Sequence, residues 1–194
     1  MRDKQREETR RRIYLAALDI FRRDGVAQCR IEDIAQKSEV SRGAFYFHFP
    51  TKDDVLMELL RESQKPMAAA LTELPPDAPL ERVLETLSTT MAEFWMNDSK
   101  LLPEVASVAL KMNPVMMDRE GIPVREELGK QFTAAAERGQ LSDVLPPEVL
   151  ADFYLSNALA AMMAWCANPA LELEMVLKGV SQLFLTGARG DGSK

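Results

Sequence analysis

Val40-Ser-Arg-Gly-Ala-Phe-Tyr-Phe-His-Phe49 decides how the chain folds, because it reads as a short helix with a serine at its mouth and a proline just behind it. Ser41 is placed to cap that helix, which runs from Arg42 to about Phe47 and stops ahead of Phe49-Pro50, since the residue before a proline is pushed out of the helical region. Immediately upstream, Ile31 to Ser38 forms a second short segment with Ile34 and Ala35 facing inward, and Ser38-Glu39-Val40-Ser41 is the turn between the two. Further back, Thr9 to Asp24 carries Ile13, Ala17, Ile20 and Phe21 at helical spacing and stops at Asp24-Gly25. Three short helices with a tight turn between the second and third suggest a helix-turn-helix, whose third helix enters the DNA major groove while the second crosses the backbone. The spacing alone also fits a plain helical bundle.

Downstream the pattern stays helical and offers no good strand. Thr51 caps a fourth helix, opened by Lys52-Asp53-Asp54 and ended near Leu74 by Leu74-Pro-Pro-Asp-Ala-Pro79; Pro66 inside it predicts a kink or an early end. Leu80, Val83, Leu84, Leu87, Met91, Phe94 and Trp95 make a clear apolar stripe. Ser99 to Met112 is a sixth helix, and Asn113-Pro114 starts a seventh that is interrupted at Gly121-Ile-Pro123 and ends near Gly139. The last two, Pro146 to Ala167 and Leu171 to Gly187, are apolar around most of their circumference, which predicts a partner for each. The tail carries an Arg-Gly-Asp triplet read as chance.

With 194 residues, 46% of them hydrophobic, the chain can bury a sizeable core, which excludes a disordered tail or a disulfide mini-protein. The net charge of −6 hides an asymmetry: residues 1–54 hold 12 Lys+Arg against 10 Asp+Glu, and the excess of acid lies entirely beyond them. Such a basic front end suits a polyanionic partner, although a solvated basic face is the commoner meaning of a charge run. Cys29 and Cys166 stand far apart with no metal-ligand spacing and read as reduced packing residues, and the N-terminus lacks a secretory signal, so a cytoplasmic protein is expected. The apolar run Val149 to Cys166 is interrupted by Asp152, Ser156 and Asn157 and has no flanking Lys or Arg, so it is read as a buried or interface helix and no membrane partner is expected. One histidine, no phosphate-cradling glycine loop and no nucleophile elbow leave an enzyme without machinery; no catalytic residue, metal or cofactor is assigned.

Arg10 to Gly25, Ile31-Glu-Asp-Ile-Ala35, Val40 to Phe49 and Thr51-Lys-Asp-Asp-Val-Leu56 together resemble the DNA-binding domain of the tetracycline-repressor (TetR) family. The resemblance implies an all-α protein of about nine helices, with residues 1–54 as the helix-turn-helix domain and 55–194 as a helical ligand-binding and dimerisation bundle. It implies a homodimeric transcription regulator, most often a repressor, that binds double-stranded DNA at an inverted-repeat operator and is released by a small-molecule inducer. The alternative is a helical ligand-binding or adaptor protein without operator recognition. Carried onto this sequence, Ser41 to His48 is the recognition helix: Gly43 and Ala44 allow close approach to base edges, Arg42 reads guanine, and Ser41, Tyr46, His48 and Lys52 meet phosphates. Phe45 and Phe49 are assigned to the core, and Lys4 and Arg6 to a flexible arm. Two departures stand out: Arg30 replaces the usual small hydroxyl cap of the second helix, with its own phosphate contact open to it, and Glu39 replaces the usual turn glycine.

In the C-terminal portion Met91, Phe94, Trp95, Met112, Met116, Phe132, Tyr154, Asn157, Met162 and Trp165 are the candidates for an apolar ligand pocket, with ordinary core as the competing reading for each. Ala158, Ala161, Val180 and Phe184 are the candidates for a dimer seam between the last two helices and their copies.

Overall fold

A computed structural model describes residues 2–111, 123–142 and 144–188. Nine helices are found among them: α1 (Arg2–Asp24), α2 (Ile31–Lys37), α3 (Arg42–His48), α4 (Lys52–Thr72), α5 (Leu80–Asn97), α6 (Leu102–Lys111), α7 (Pro123–Glu137), α8 (Pro147–Ala167) and α9 (Leu173–Ala188). The architecture is all-α, with α1–α3 leading and the remaining helices forming a bundle. The expected helix start at Asn113-Pro114 and residues Gly121 and Ile122 of the expected interruption lie outside the described residues, as do Met112 and Met116.

Two helices differ from expectation. α1 begins at Arg2 and not at Thr9, because nothing between them breaks a helix, Asp3 suits the first turn, and Thr9 bonds back to the Gln5 carbonyl (2.9 Å) within the helix. Lys4 and Arg6 are therefore helical rather than a flexible arm. α4 runs unbroken through Pro66. A proline inside a helix costs about 3 kcal/mol, and burial of Met67, Ala68 and Leu71 on the far side of it offsets that cost.

The α1–α3 trio closes over Ile13, Phe21, Ile34, Phe45 and Phe49, all at or near zero exposure. α4 is the common strut: it touches α1 and also packs on α5, α6 and α7, while α5 packs on α9 and α8 on both α7 and α9. A second tie is polar. Asp98, at the C-cap of α5, is buried and receives both arms of Arg22 from the last turn of α1, at 2.6 and 2.9 Å. Inside the bundle the Ser88, Tyr154 and Ser181 hydroxyls hydrogen-bond one another at 2.9–3.3 Å, joining α5, α8 and α9 through groups that would be expensive to bury unpaired. Burial raises the pKa of the Tyr154 phenol, and its bonds to the Ser181 and Ser88 hydroxyls only partly offset that rise.

The exterior of α8 and α9 is apolar, as their composition suggests. Val149 and Phe153 on α8, Leu171 in the connection, and Met175 and Leu183 on α9 are exposed. Among the described residues α8 is the one helix long and apolar enough to cross a membrane; its Asp152 is paired with Arg125 of α7, and its inner face packs on neighbours through Leu150, Ala151, Tyr154, Ala158 and Met162.

Candidate nucleic-acid interface

The turn that presents α3 is built from backbone bonds. Val40 N–H reaches the Ala35 carbonyl (2.9 Å) and Glu39 N–H the Gln36 carbonyl (3.1 Å), the pair that closes a helix when the residue between adopts a left-handed conformation. Glu39 takes that conformation at φ +53°, where glycine is the usual occupant. The same closure recurs after α7, where Gly139 at φ +70° fills the equivalent place and Gln140 N–H bonds Ala135. Arg30, the N-cap of α2, makes no side-chain cap bond, as an acceptor-less guanidinium must. Ser41 does cap α3: its hydroxyl oxygen accepts from Ala44 N–H at 3.1 Å, leaving the hydroxyl proton to donate outward.

Within α3, Phe45 and Phe49 point into the core, so Arg42, Gly43, Tyr46 and Phe47 turn outward. Phe47 is 66% exposed, more than Tyr46, although the sequence reading passed over it. The signal was present: with Phe45 and Phe49 both inward, the residue midway between them lies on the opposite side of the helix. Arg6 of α1 stands over the Phe47 ring at 5.1 Å and His48 meets its edge, so an open groove of about 390 Å³ runs between the start of α1 and the end of α3. Partial burial, then Arg10 and Arg6, lower the His48 pKa, which favours the neutral imidazole. Arg42 pairs with Glu32 at 2.8 Å across the exposed turn, a surface contact worth about 0–1 kcal/mol and easily exchanged for another acceptor.

Gly43 has no structural need to be glycine. A Cβ there would meet only the Ser41 Oγ at 3.7 Å, an ordinary contact, yet glycine inside a helix costs about 0.5–1 kcal/mol relative to alanine.

Lys52 sits differently from expectation. Its ammonium donates to the Val26 (2.6 Å) and Cys29 (3.2 Å) carbonyls and staples the α1–α2 connection, so at most one N–H is left for a phosphate. Arg10 donates to the His48 backbone carbonyl (2.6 Å) and to Glu58 of α4 (2.8 Å) while lying over the Phe49 ring at 4.2 Å. It is the joint between α1, the end of α3 and α4. Its position on the rim of the buried stripe that begins at Ile13 was the clue.

The bundle rearranges the remaining assignments. Met91, Trp95, Phe132, Tyr154 and Met162 are buried in the continuous core, Phe94 and Trp165 are half-buried against it, and the Trp165 indole donates to the Leu171 carbonyl. Asn157 is on the outer face of α8 and bonds the Phe153 carbonyl one turn back, so it cannot orient a ligand inside. Ala158 is fully buried within the chain, and half-buried Phe184 stacks on Phe132 (5.7 Å) and meets the edge of Tyr154. Ala161 and Val180 are half-buried at the edge of the outward face. Residues the sequence reading missed there are Val149, Phe153, Met175 and Leu183. Both cysteines are free thiols whose pKa burial raises.

Residues 13–59 match the family described as bacterial regulatory proteins, tetR family. The chain is 40% identical over 87 residues to the HTH-type transcriptional regulator SrpR of Pseudomonas putida, a stretch that covers 45% of this chain and 39% of SrpR. The chain thus matches well under two thirds of that relative's length. Among solved structures, the TetR-family repressor FadR of Thermus thermophilus, in complex with lauroyl-CoA, superimposes with TM-score 0.75 over 95% of this chain and 98% of its own, at 24% identity. SmeT of Stenotrophomonas maltophilia, solved with triclosan, does so with TM-score 0.61 over 95% and 93%, at 22% identity. At these identities the two structures show a shared fold.

Proposed function

We propose that this chain, whose residues 13–59 match the tetR family of bacterial regulatory proteins, is a cytoplasmic homodimeric repressor that binds an inverted-repeat operator through α3 and is released by a small, largely apolar ligand. The observation that supports the reading is Gly43, a glycine the fold does not need, on the exposed face of α3, within the residues that match the family. In this reading Arg42 reads a guanine, Ala44 and Phe47 make apolar contacts to base edges, and Ser41, Tyr46, His48 and Arg30 approach phosphates. Neutral His48 donates one N–H there and does not add a charge.

The second copy covers the apolar stripe of α8 and α9. Phe153, Met175 and Leu183 supply its area, and exposed Ala160, Ala164 and Gly179 let helices approach closely. Ligand entering the bundle displaces α4, and Arg10, bonded at once to Glu58 and to the carbonyl of His48, passes that displacement to the end of α3. The complexes of FadR with lauroyl-CoA and SmeT with triclosan support a bundle that admits apolar molecules.

Selection of sites from a random duplex library, repeated at two salt concentrations, tests the reading. An enriched inverted repeat with half-sites about 34 Å apart and a steep loss of binding with salt is expected. Uniform weak binding to every duplex overturns it in favour of a helical ligand-binding protein without operator recognition.

A further inference from the structure

Arg6, expected on a flexible arm, is set against α3. It lies in the second turn of α1, and its guanidinium stands over the Phe47 ring, 5.1 Å from the centroid. Among the described residues no ion pair or hydrogen bond engages Arg6, although Asp3 is one turn away on its own helix and both Asp3 and Glu7 line the same groove. Its N–H donors are uncommitted, whereas those of Arg10, one turn on, are given to Glu58 and the His48 carbonyl. Phe47 is the other half of the observation: a mostly exposed apolar ring with Arg6 over its face and His48 at its edge. It stands four residues, one turn or roughly 6 Å, beyond Gly43 on the outward face of α3.

We propose that Arg6 and Phe47 form one composite phosphate anchor, in which the ring holds the guanidinium beside the outward face of α3 and the guanidinium forks onto a phosphodiester of the duplex backbone. The inference rests on the proposed binding of DNA through α3 and adds to it a charged contact and the residue that positions it. Distance places the phosphate. A major groove is about 12 Å wide, so a cation one helical turn and a ring beyond the middle of α3 reaches the groove wall, where the phosphates lie. Chemistry suits arginine to the seat: a planar, weakly hydrated guanidinium rests on an aromatic face while its edge offers a fork of donors to phosphate oxygens, a fork that an ammonium lacks. The carboxylates of Asp3 and Glu7 repel an anion from the inside of the groove, so the phosphate is met on the outer edge of the guanidinium. Phe47 has no hydrogen to donate to a phosphate. Its part here is to hold Arg6 in place before the duplex arrives, which spares the ordering of a long side chain on binding, and the rest of the ring stays free for base edges.

The test reads the salt dependence of duplex binding, by fluorescence anisotropy, with the full chain and a labelled random-sequence DNA duplex. Each cation that meets a phosphate adds about 0.9 to the steepness of log affinity against log salt. Arg6→Gln is expected to flatten that slope by about 0.9 for each copy of the chain on the duplex, so that between about 50 and about 200 mM salt affinity falls about 3.5-fold less per copy. Phe47→Leu removes no charge, yet it should flatten the slope too, Phe47→Trp should restore it, and Arg6→Gln with Phe47→Leu should match Arg6→Gln alone. A Phe47 that makes apolar contact and nothing more would lower affinity equally at every salt concentration, and an unchanged slope in Phe47→Leu overturns the pairing. An unchanged slope in Arg6→Gln overturns the anchor. Both side chains are exposed, so the variants should melt as the wild type does; should Phe47→Leu not fold, Phe47→Gln takes its place. A wild-type chain that binds no duplex refutes the regulator reading and the anchor with it, whereas wild-type binding whose slope survives Arg6→Gln refutes the anchor alone.

Discussion

Replacing Glu39 by glycine should stabilise the protein. Glu39 holds φ +53° to close α2, and the left-handed conformation costs a residue with a Cβ about 1–2 kcal/mol. Glycine removes that cost but adds freedom to the unfolded chain worth about 0.4–1 kcal/mol, so the net gain is about 0.5–1 kcal/mol. In a protein of this size that raises the melting temperature by about 1–4 °C. The chain supplies its own converse at Gly139, which closes α7 with the same two backbone bonds at φ +70°; nothing lies within 4 Å of a Cβ there, so Gly139→Ala tests conformation without a clash and should lose a similar amount. Urea unfolding with the two variants and Glu39→Ala separates backbone from charge, because Glu39→Ala removes the carboxylate and keeps the Cβ. A gain in Glu39→Ala equal to that in Glu39→Gly would refute the reasoning, since the benefit would then be electrostatic.

Gly43→Ala should raise stability by about 0.5–1 kcal/mol while weakening operator binding, measured by urea titration and fluorescence anisotropy; unchanged affinity would mean that nothing approaches that face. Arg42→Ala should weaken operator binding by about 1–3 kcal/mol and relax preference at one base position, whereas Tyr46→Ala should weaken binding to all operator variants alike. Arg22→Met should cost about 1–2 kcal/mol, because it strands the buried Asp98 carboxylate while the guanidinium it removes is itself half exposed; the double variant with Asp98→Leu should recover part of that loss. The His48 pKa is lowered on folding, so as pH falls the unfolded chain binds that proton first and stability declines through the histidine range; a His48→Gln protein should show a smaller difference in urea midpoint between about pH 7.5 and about pH 5.5.

Periodicity and punctuation made the helices legible. The stripe from Leu80 to Trp95 and the Ser41 cap appear in the structure as read, because each rests on local chemistry that tertiary packing did not oppose. Pro66 and Thr9 misled for one reason: local preference worth a few kcal/mol yields when a helix has a buried face or a neighbouring turn to extend. Inside the bundle the sequence could list apolar residues but could not sort them, since Phe184 and Leu183 are chemically alike and a single step of about 100° around the helix decides which meets Phe132 and which meets solvent. Arg10 and Lys52 escaped because their partners are backbone carbonyls distant in sequence, and a carbonyl leaves no mark in a residue string.

Arg10 holds the end of α3 by the main chain of His48, not by its side chain. Every residue type carries that carbonyl, so the grip is indifferent to which side chains the helix displays. Residues 42, 43, 46 and 47 can be exchanged for other side chains without dismantling the linkage to α4. Altering Arg10 or Glu58 would do the opposite, keeping the outward face of α3 and loosening its tie to α4. The side chains that α3 displays and the bonds that hold it to α4 are thereby separate, and each can change without the other.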